Sequence, residues 1–179
     1  MNNGKNVRVT GRPGVGKTSV IEAVAREFPQ VAGGFTTSEI RERRVREGFR
    51  VTTLDGTSAV LAHVNFRGRV RVGKYGVDVP AFEQLALPAM EDAILRRRIV
   101  VIDEIGKMEL ASKLFCHVVE KALDAPAIVL ATIMERPHPY ADQIKRRTDV
   151  VILEVTAENR DLLPGTITAK IRDELRQNQ

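Results

Sequence analysis

With 179 residues, 43% of them hydrophobic, and no apolar run near the ~18 residues that span a bilayer, the chain reads as one globular domain over residues 1–179, with no membrane span. One cysteine, Cys116, excludes an internal disulfide framework, and the opening MNNGKNVRV is unlike a signal peptide, so the cytoplasm is the expected address. A net charge of +5 and a pI near 9.7 suit a polyanionic ligand, but 4% aromatic content and no Trp leave few platforms for stacking on single-stranded nucleic acid.

Residues 5–10, KNVRVT, predict a short strand, and the stretch GRPGVGKTS (11–19) follows it. Gly11, Gly16, Lys17 and Thr18 occupy the fixed positions of G-x-x-x-x-G-K-[ST], the phosphate-binding loop. Polyphosphate needs several converging donors, and a loop wrapped on itself turns its backbone N–H groups inward to supply them. Gly14 and Gly16 let the backbone approach without a Cβ clash. Lys17 would set its ammonium on the β- and γ-phosphates, and the Thr18 hydroxyl would ligate Mg²⁺. From Lys17 the residues Val20, Ile21, Val24, Ala25 and Phe28 recur at helical spacing, so the loop sits between strand and helix, the context that separates it from a chance match.

The next strand is predicted over 33–40, GGFTTSEI, entering a charged stretch. Residues 48–54 alternate in polarity and end at Asp55-Gly56, a hairpin turn signal, with 57–64 returning as the partner strand. Residues 65–78, rich in Gly and Arg, read as loop. A helix is expected over 79–97, with Phe82, Leu85, Ala86, Ala89, Met90, Ala93 and Ile94 along one face and Pro88 demanding a kink or a break. The run 99–103, IVVID, is β-branched almost throughout, as a strand buried on both faces should be. A helix over 112–123, with Cys116 as a buried structural thiol, then a strand over 127–132, a short helix near 140–147, a strand over 150–155 and a closing helix over 166–177 complete the pattern. Alternation of this kind predicts a three-layer α/β fold, a mostly parallel sheet with an added antiparallel hairpin.

Asp103 ends an apolar strand, the Walker B position that holds Mg²⁺ directly or through water. Glu104, one residue on, can take a proton from an attacking water or orient it; Glu109 is the alternative base or a helix cap. Asp103 to Gly106 also match D-x-x-G, a loop of GTPases, yet the partner N-K-x-D has only Asn159-Arg160-Asp161-Leu162 to offer, so a dedicated guanine site is not expected. The arginine that would meet transition-state charge is not singled out by the sequence: Arg136, Arg41 and Arg43 are each placed for it, and each also reads as surface. The same double reading applies to His138 and to the basic clusters Arg41 to Arg46, Arg96 to Arg98 and Lys145 to Arg147.

GRPGVGKTS, GGFTTSEIRE, GFRVTTLDG, VGKYGVDVPAFEQLALPAM, DEIGKMEL (103–110) and TAENRD, in this order, resemble the thermophile-type nucleoside-triphosphatase family over almost the whole chain. The resemblance implies the P-loop NTPase fold and Mg²⁺-dependent hydrolysis of nucleoside 5′-triphosphates to diphosphates with broad base tolerance. It also implies nucleotide binding by Arg12, Pro13, Gly14, Val15, Gly16, Lys17, Thr18 and Ser19, and by the strand Val100, Val101, Ile102 and Asp103. Two other readings share the same loop: a nucleotide or nucleoside kinase, and, from a different class, a nucleic-acid-associated ATPase, with nucleic acid the less favoured partner.

Overall fold

The computed structural model describes residues 4–96 and 98–177. Its β-branched runs take the centre of the sheet because they are apolar on both sides and must be covered twice. Strands β1 (Asn6–Thr10), β2 (Ala32–Glu42), β7 (Ile99–Ile105), β8 (Ile128–Ile133) and β9 (Val150–Glu154) run parallel in the order β2-β7-β8-β1-β9. Val7, Val9, Val101 and Leu130 face one layer, formed by α1 (Lys17–Arg26) and α5 (Leu163–Gln177). Val100, Ile102, Val129 and Ala131 face the other, formed by α2 (Val79–Leu95), α3 (Lys113–Asp124) and α4 (Pro139–Lys145). In that second core Phe35, Phe82 and Phe115 meet edge to face at 5.4, 5.4 and 6.1 Å, tying β2, α2 and α3 together. Ser112 caps α3 by accepting from the Phe115 amide at 2.9 Å, and its hydroxyl donates to Glu83 of α2 at 2.6 Å.

Beyond β2 the sheet turns antiparallel, through β3 (Val45–Thr53), β4 (Ser58–His63), β6 (Tyr75–Val77) and β5 (Arg71–Val72). The expected hairpin about Asp55-Gly56 is therefore part of a larger unit. Residues 65–78, expected as loop, hold the short strands β5 and β6 about a turn at Gly73-Lys74. The charged stretch after residue 40 is itself a hairpin. Glu42 pairs with Val45, leaving the two-residue turn Arg43-Arg44 at φ 45° and 70°. Such turns favour Asn-Gly, which is why two arginines hid this one.

Helix α2 is one helix from Val79 to Leu95, not two, with Pro88 in its interior. An interior Pro costs a helix about 3 kcal/mol. Burial of Phe82, Ala86, Leu87, Met90, Ala93 and Ile94 outweighs that, at about 1.5–3 kcal/mol for each large side chain. Asp78 caps the helix from the Ala81 amide at 3.0 Å, with Pro80 in the first turn. Helix α5 starts three residues earlier than its apolar period suggests, at Leu163. Cys116 is half-buried rather than buried, and the thiol is pushed above its ordinary value by desolvation. Arg97, placed by sequence at the end of α2 and in a basic run, lies outside the described residues, as do positions 1–3.

Candidate active site

Strand β1 delivers the chain into the loop 11–16, and α1 leaves it at Lys17. Gly14 and Gly16 sit at φ 79° and 112°, conformations costly for other residues, and they bend the loop over the start of α1. The first amides of that helix have no intrahelical acceptor and, with the helix dipole, make an anion site. Lys17 lies back along the loop, its Nζ donating to the Gly11 carbonyl at 3.0 Å and the Arg12 carbonyl at 3.4 Å. Arg12, Pro13, Gly14 and Ser19 are exposed, and Val15 packs on the core beside Val155.

Asp103 is buried at the end of β7 and gathers donors from three other segments. The Thr18 hydroxyl donates to its Oδ2 at 2.8 Å. The Thr37 amide and hydroxyl on β2 donate to the same oxygen at 3.3 and 3.5 Å, and the Thr132 hydroxyl on β8 donates to Oδ1 at 2.5 Å. The two loop motifs are thus in direct contact. Thr37 and Thr132 carry no motif of their own; the one signal was that each stands near the carboxyl end of a parallel strand. Val100, Val101 and Ile102 are fully buried in β7 and reach this site through Asp103.

Glu104 stands next to Lys17 and Asp103. Burial pushes its carboxyl above the usual range; the Lys17 ammonium opposes the shift and the Asp103 charge adds to it. Glu109, buried in the short 3-10 turn Glu109–Ala111, comes to the same place. A Cβ on Gly106 would stand 2.5 Å from Glu104 Oε1 and 3.0 Å from Glu109 Oε2, so Gly106 leaves the room in which the two carboxyls meet. Desolvation, reinforced by Glu104, pushes the Glu109 carboxyl up to about 8. The glycine that resembled a GTPase loop is therefore the floor of a carboxylate pair.

The loop after β9 borders the phosphate loop: Val155 N donates to Thr10 O at 2.8 Å, and Arg160 Cδ lies 3.6 Å from where a Gly16 Cβ would be. Asn159 turns its side chain into its own loop, accepting from the Thr156 amide at 2.8 Å and donating to Glu154 O at 2.9 Å. Among the other arginines, Arg41 is held by Glu39, Arg43 stands in the hairpin turn, and Arg136 is exposed beyond β8. His138 is at the N-terminus of α4, with its buried Nδ1 unpaired among the described residues.

An NTPase family model matches residues 6–168, from β1 into the first turns of α5, with both loop motifs inside it. The chain belongs to this nucleoside-triphosphatase family. The NTPase is 42% identical over 166 residues to nucleoside-triphosphatase THEP1 of Thermotoga maritima, covering 93% of this chain and 95% of the relative. It is 42% identical to the cancer-related nucleoside-triphosphatase of Homo sapiens, over 92% of this chain and 95% of that one. Its fold matches the crystal structure of THEP1 from the hyperthermophile Aquifex aeolicus with a TM-score of 0.87 at 39% identity, over 93% of this chain and 98% of that one. The solution structure of a human cancer-related nucleoside triphosphatase matches with a TM-score of 0.78 at 41% identity, over 92% and 96% of the two chains. The molecule is an enzyme that binds and cleaves nucleotides, and no helix among its described residues is long and apolar enough to cross a membrane.

Proposed function

We propose that this NTPase hydrolyses nucleoside 5′-triphosphates to nucleoside diphosphate and phosphate with Mg²⁺, using water as acceptor and discriminating weakly among bases. The contact between Thr18 and Asp103, with Lys17 and Glu104 beside it, carries the reading. A hydroxyl and a carboxylate form an all-oxygen donor set, which suits a hard cation that keeps waters and substrate phosphates in its shell. Thr18 and Asp103 would hold the ion, and Mg²⁺ when bound neutralises charge on the β- and γ-oxygens.

The chain's own residues do the rest. Lys17 exchanges its loop carbonyls for phosphate oxygens, and the first amides of α1 fix the anion. Glu104 accepts the proton of the attacking water, its raised affinity for protons suiting a base that works near neutrality. Weak base choice is supported by Asn159, whose amide is spent within its own loop. The test is product analysis with ATP, GTP, CTP and UTP, alone and with a panel of nucleosides and monophosphates. Nucleoside diphosphate and inorganic phosphate are expected from all four, at rates within about tenfold, or ~1.4 kcal/mol of transition-state binding. Transfer to any added hydroxyl in preference to water would make it a kinase, and a hundredfold preference for one base would reveal a specific pocket.

A further inference from the structure

The positive charge of this chain is not spread over it. Residues 38–77 carry nine Lys and Arg against four Asp and Glu, a surplus equal to the +5 of the whole chain, so the remainder is neutral. In sequence these residues form separate clusters, each readable as solvated surface. The fold gathers them at one end of the molecule. Strand β2 pairs with β7 only as far as Phe35, opposite Ile102, and runs on to Glu42, while β7 ends at Ile105, so the β2–β3 hairpin outruns the parallel strands by roughly 13 Å at about 3.3 Å per residue. It projects past the strand ends where the phosphate loop and Asp103 lie. The segment after β4 leaves the sheet at the same end: Val64 N donates to Glu47 O at 2.9 Å, and Arg46 Nε donates to the Tyr75 hydroxyl at 3.1 Å.

Internal pairing uses only part of this charge. Arg41 and Arg46 each hold Glu39 at 2.6 Å, and Arg71 donates to the Phe66 and Lys74 carbonyls. Arg43 and Arg44 at the hairpin tip, and Arg67 and Arg69 in the segment after β4, are exposed, and their side chains have no ion pair or hydrogen bond among the described residues. Ordinary surfaces intersperse the two signs, and a single-sign field of this size serves to attract a partner.

We propose that the β2–β3 arm and the adjoining 64–74 segment form a docking surface for the phosphate backbone of a nucleic acid, read without base discrimination. Free guanidiniums along an extended arm match a repeating row of phosphates. The nearby rings are turned inward, with Phe49 and Tyr75 packed edge to face at 5.2 Å and Tyr75 buried. Phe66 is half-buried and packed against His63, so among the described residues of this surface no aromatic ring is fully exposed as an anchor for protein partners or a platform for bases. The same strand that forms the arm brings Thr37 to Asp103, so what docks on the arm lies on an element of the nucleotide site.

Fluorescence anisotropy with a labelled 20-nucleotide RNA, single-stranded and in duplex, between 50 and 200 mM salt tests this. The variant Arg43→Asn, Arg44→Gly, Arg67→Ser, Arg69→Ser removes four charges while giving the tip the Asn-Gly that such a turn favours, and a thermal melt checks its fold. A control variant, Arg26→Ser, Arg96→Ser, Arg146→Ser, Arg176→Ser, makes the same charge change elsewhere. Wild type should bind both RNAs, the arm variant at least tenfold more weakly, and the control within threefold of wild type. The log–log salt slope on single strands should fall by about 3, at ~0.7 per lost phosphate contact. No wild-type binding at 50 mM salt, an arm variant that binds like wild type, or a control that loses as much would overturn the proposal. So would tighter binding to anionic vesicles or to an acidic peptide than to RNA.

Discussion

Replacing Glu109 by Gln should stabilise the folded protein, and increasingly so as the pH rises. The carboxyl is buried beside Glu104 and stands at about 8, against 4.5 in the unfolded chain. A raised acid contributes stability that is fully present below pH 4.5 and is lost as the pH climbs through about 8, because the folded state then holds the extra proton. Each pH unit inside that window removes about 1.4 kcal/mol, and the whole window, from 4.5 to about 8, of the order of 5 kcal/mol. Gln has the shape of the neutral acid and does not titrate. The two proteins should therefore melt alike at pH 4 and separate steadily from about pH 5 upward. By pH 9 the variant should melt about 10–20 °C higher, at ~2–4 °C per kcal/mol for a chain of this size. Calorimetric melts from pH 4 to 9, with chelator and without nucleotide, give the comparison. Glu104 titrates in both proteins, so the difference between the two curves reports on position 109. Parallel curves would show that Glu109 is not the buried proton holder described here.

Lys17→Ala should abolish triphosphate turnover and leave the melt unchanged; near-normal hydrolysis by the folded variant would remove Lys17 from the phosphate site. Asp103→Asn should weaken metal-dependent nucleotide binding and turnover together, whereas Glu104→Gln should keep the binding of a non-hydrolysable triphosphate and lose ~10² to 10⁴ in single-turnover rate. If Glu104→Gln stays within threefold of wild type, the base is elsewhere, with Glu109 the next to test. Arg8→Met should hold or raise stability, by up to ~4 kcal/mol. Arg8 is wholly buried, burial lowers its guanidinium to about 9, and its Nε and one terminal nitrogen are unpaired among the described residues. A chemical denaturation midpoint that implies a loss above about 2 kcal/mol would mean that those nitrogens have a partner in solution, such as a buried water.

Elements whose residues are local neighbours are legible in the amino-acid sequence alone. The loop 11–19 announces itself by spacing, the β7 run by its β-branched apolar residues, and the Asp55-Gly56 hairpin by turn chemistry. The departures share one cause. Where tertiary burial overrides a local preference, local reading cannot decide: it leaves a kink or a break at Pro88, and α2 runs on through Pro88 as one helix because one of its faces is core. Arg43 and Arg44 occupy a left-handed turn because long strand pairing on either side holds them there, at a conformation that costs a non-glycine residue of order 1–3 kcal/mol. Neither compensation is written within a few residues of the site it rescues.

The same limit decides how much of the active site is legible. Lys17, Thr18, Asp103 and Glu104 belong to two short motifs, and sequence finds them without knowing how the strands are ordered. Thr37 and Thr132 become neighbours of Asp103 only because β2 and β8 flank β7 in the sheet, in a register that pairs Phe35 and Ala131 with Ile102. Shift either strand by one residue and its threonine would turn to the opposite face, since side chains alternate along a strand. That register is set by the apolar residues of the two cores, above all Phe35 against Phe82 and Phe115. The hydroxyls around the carboxylate are thus placed by packing rather than by any signature of their own, and that packing is worth about 1.5–3 kcal/mol for each buried ring. Positions such as these, ordinary in composition and fixed by register, are where a site extends beyond its motifs.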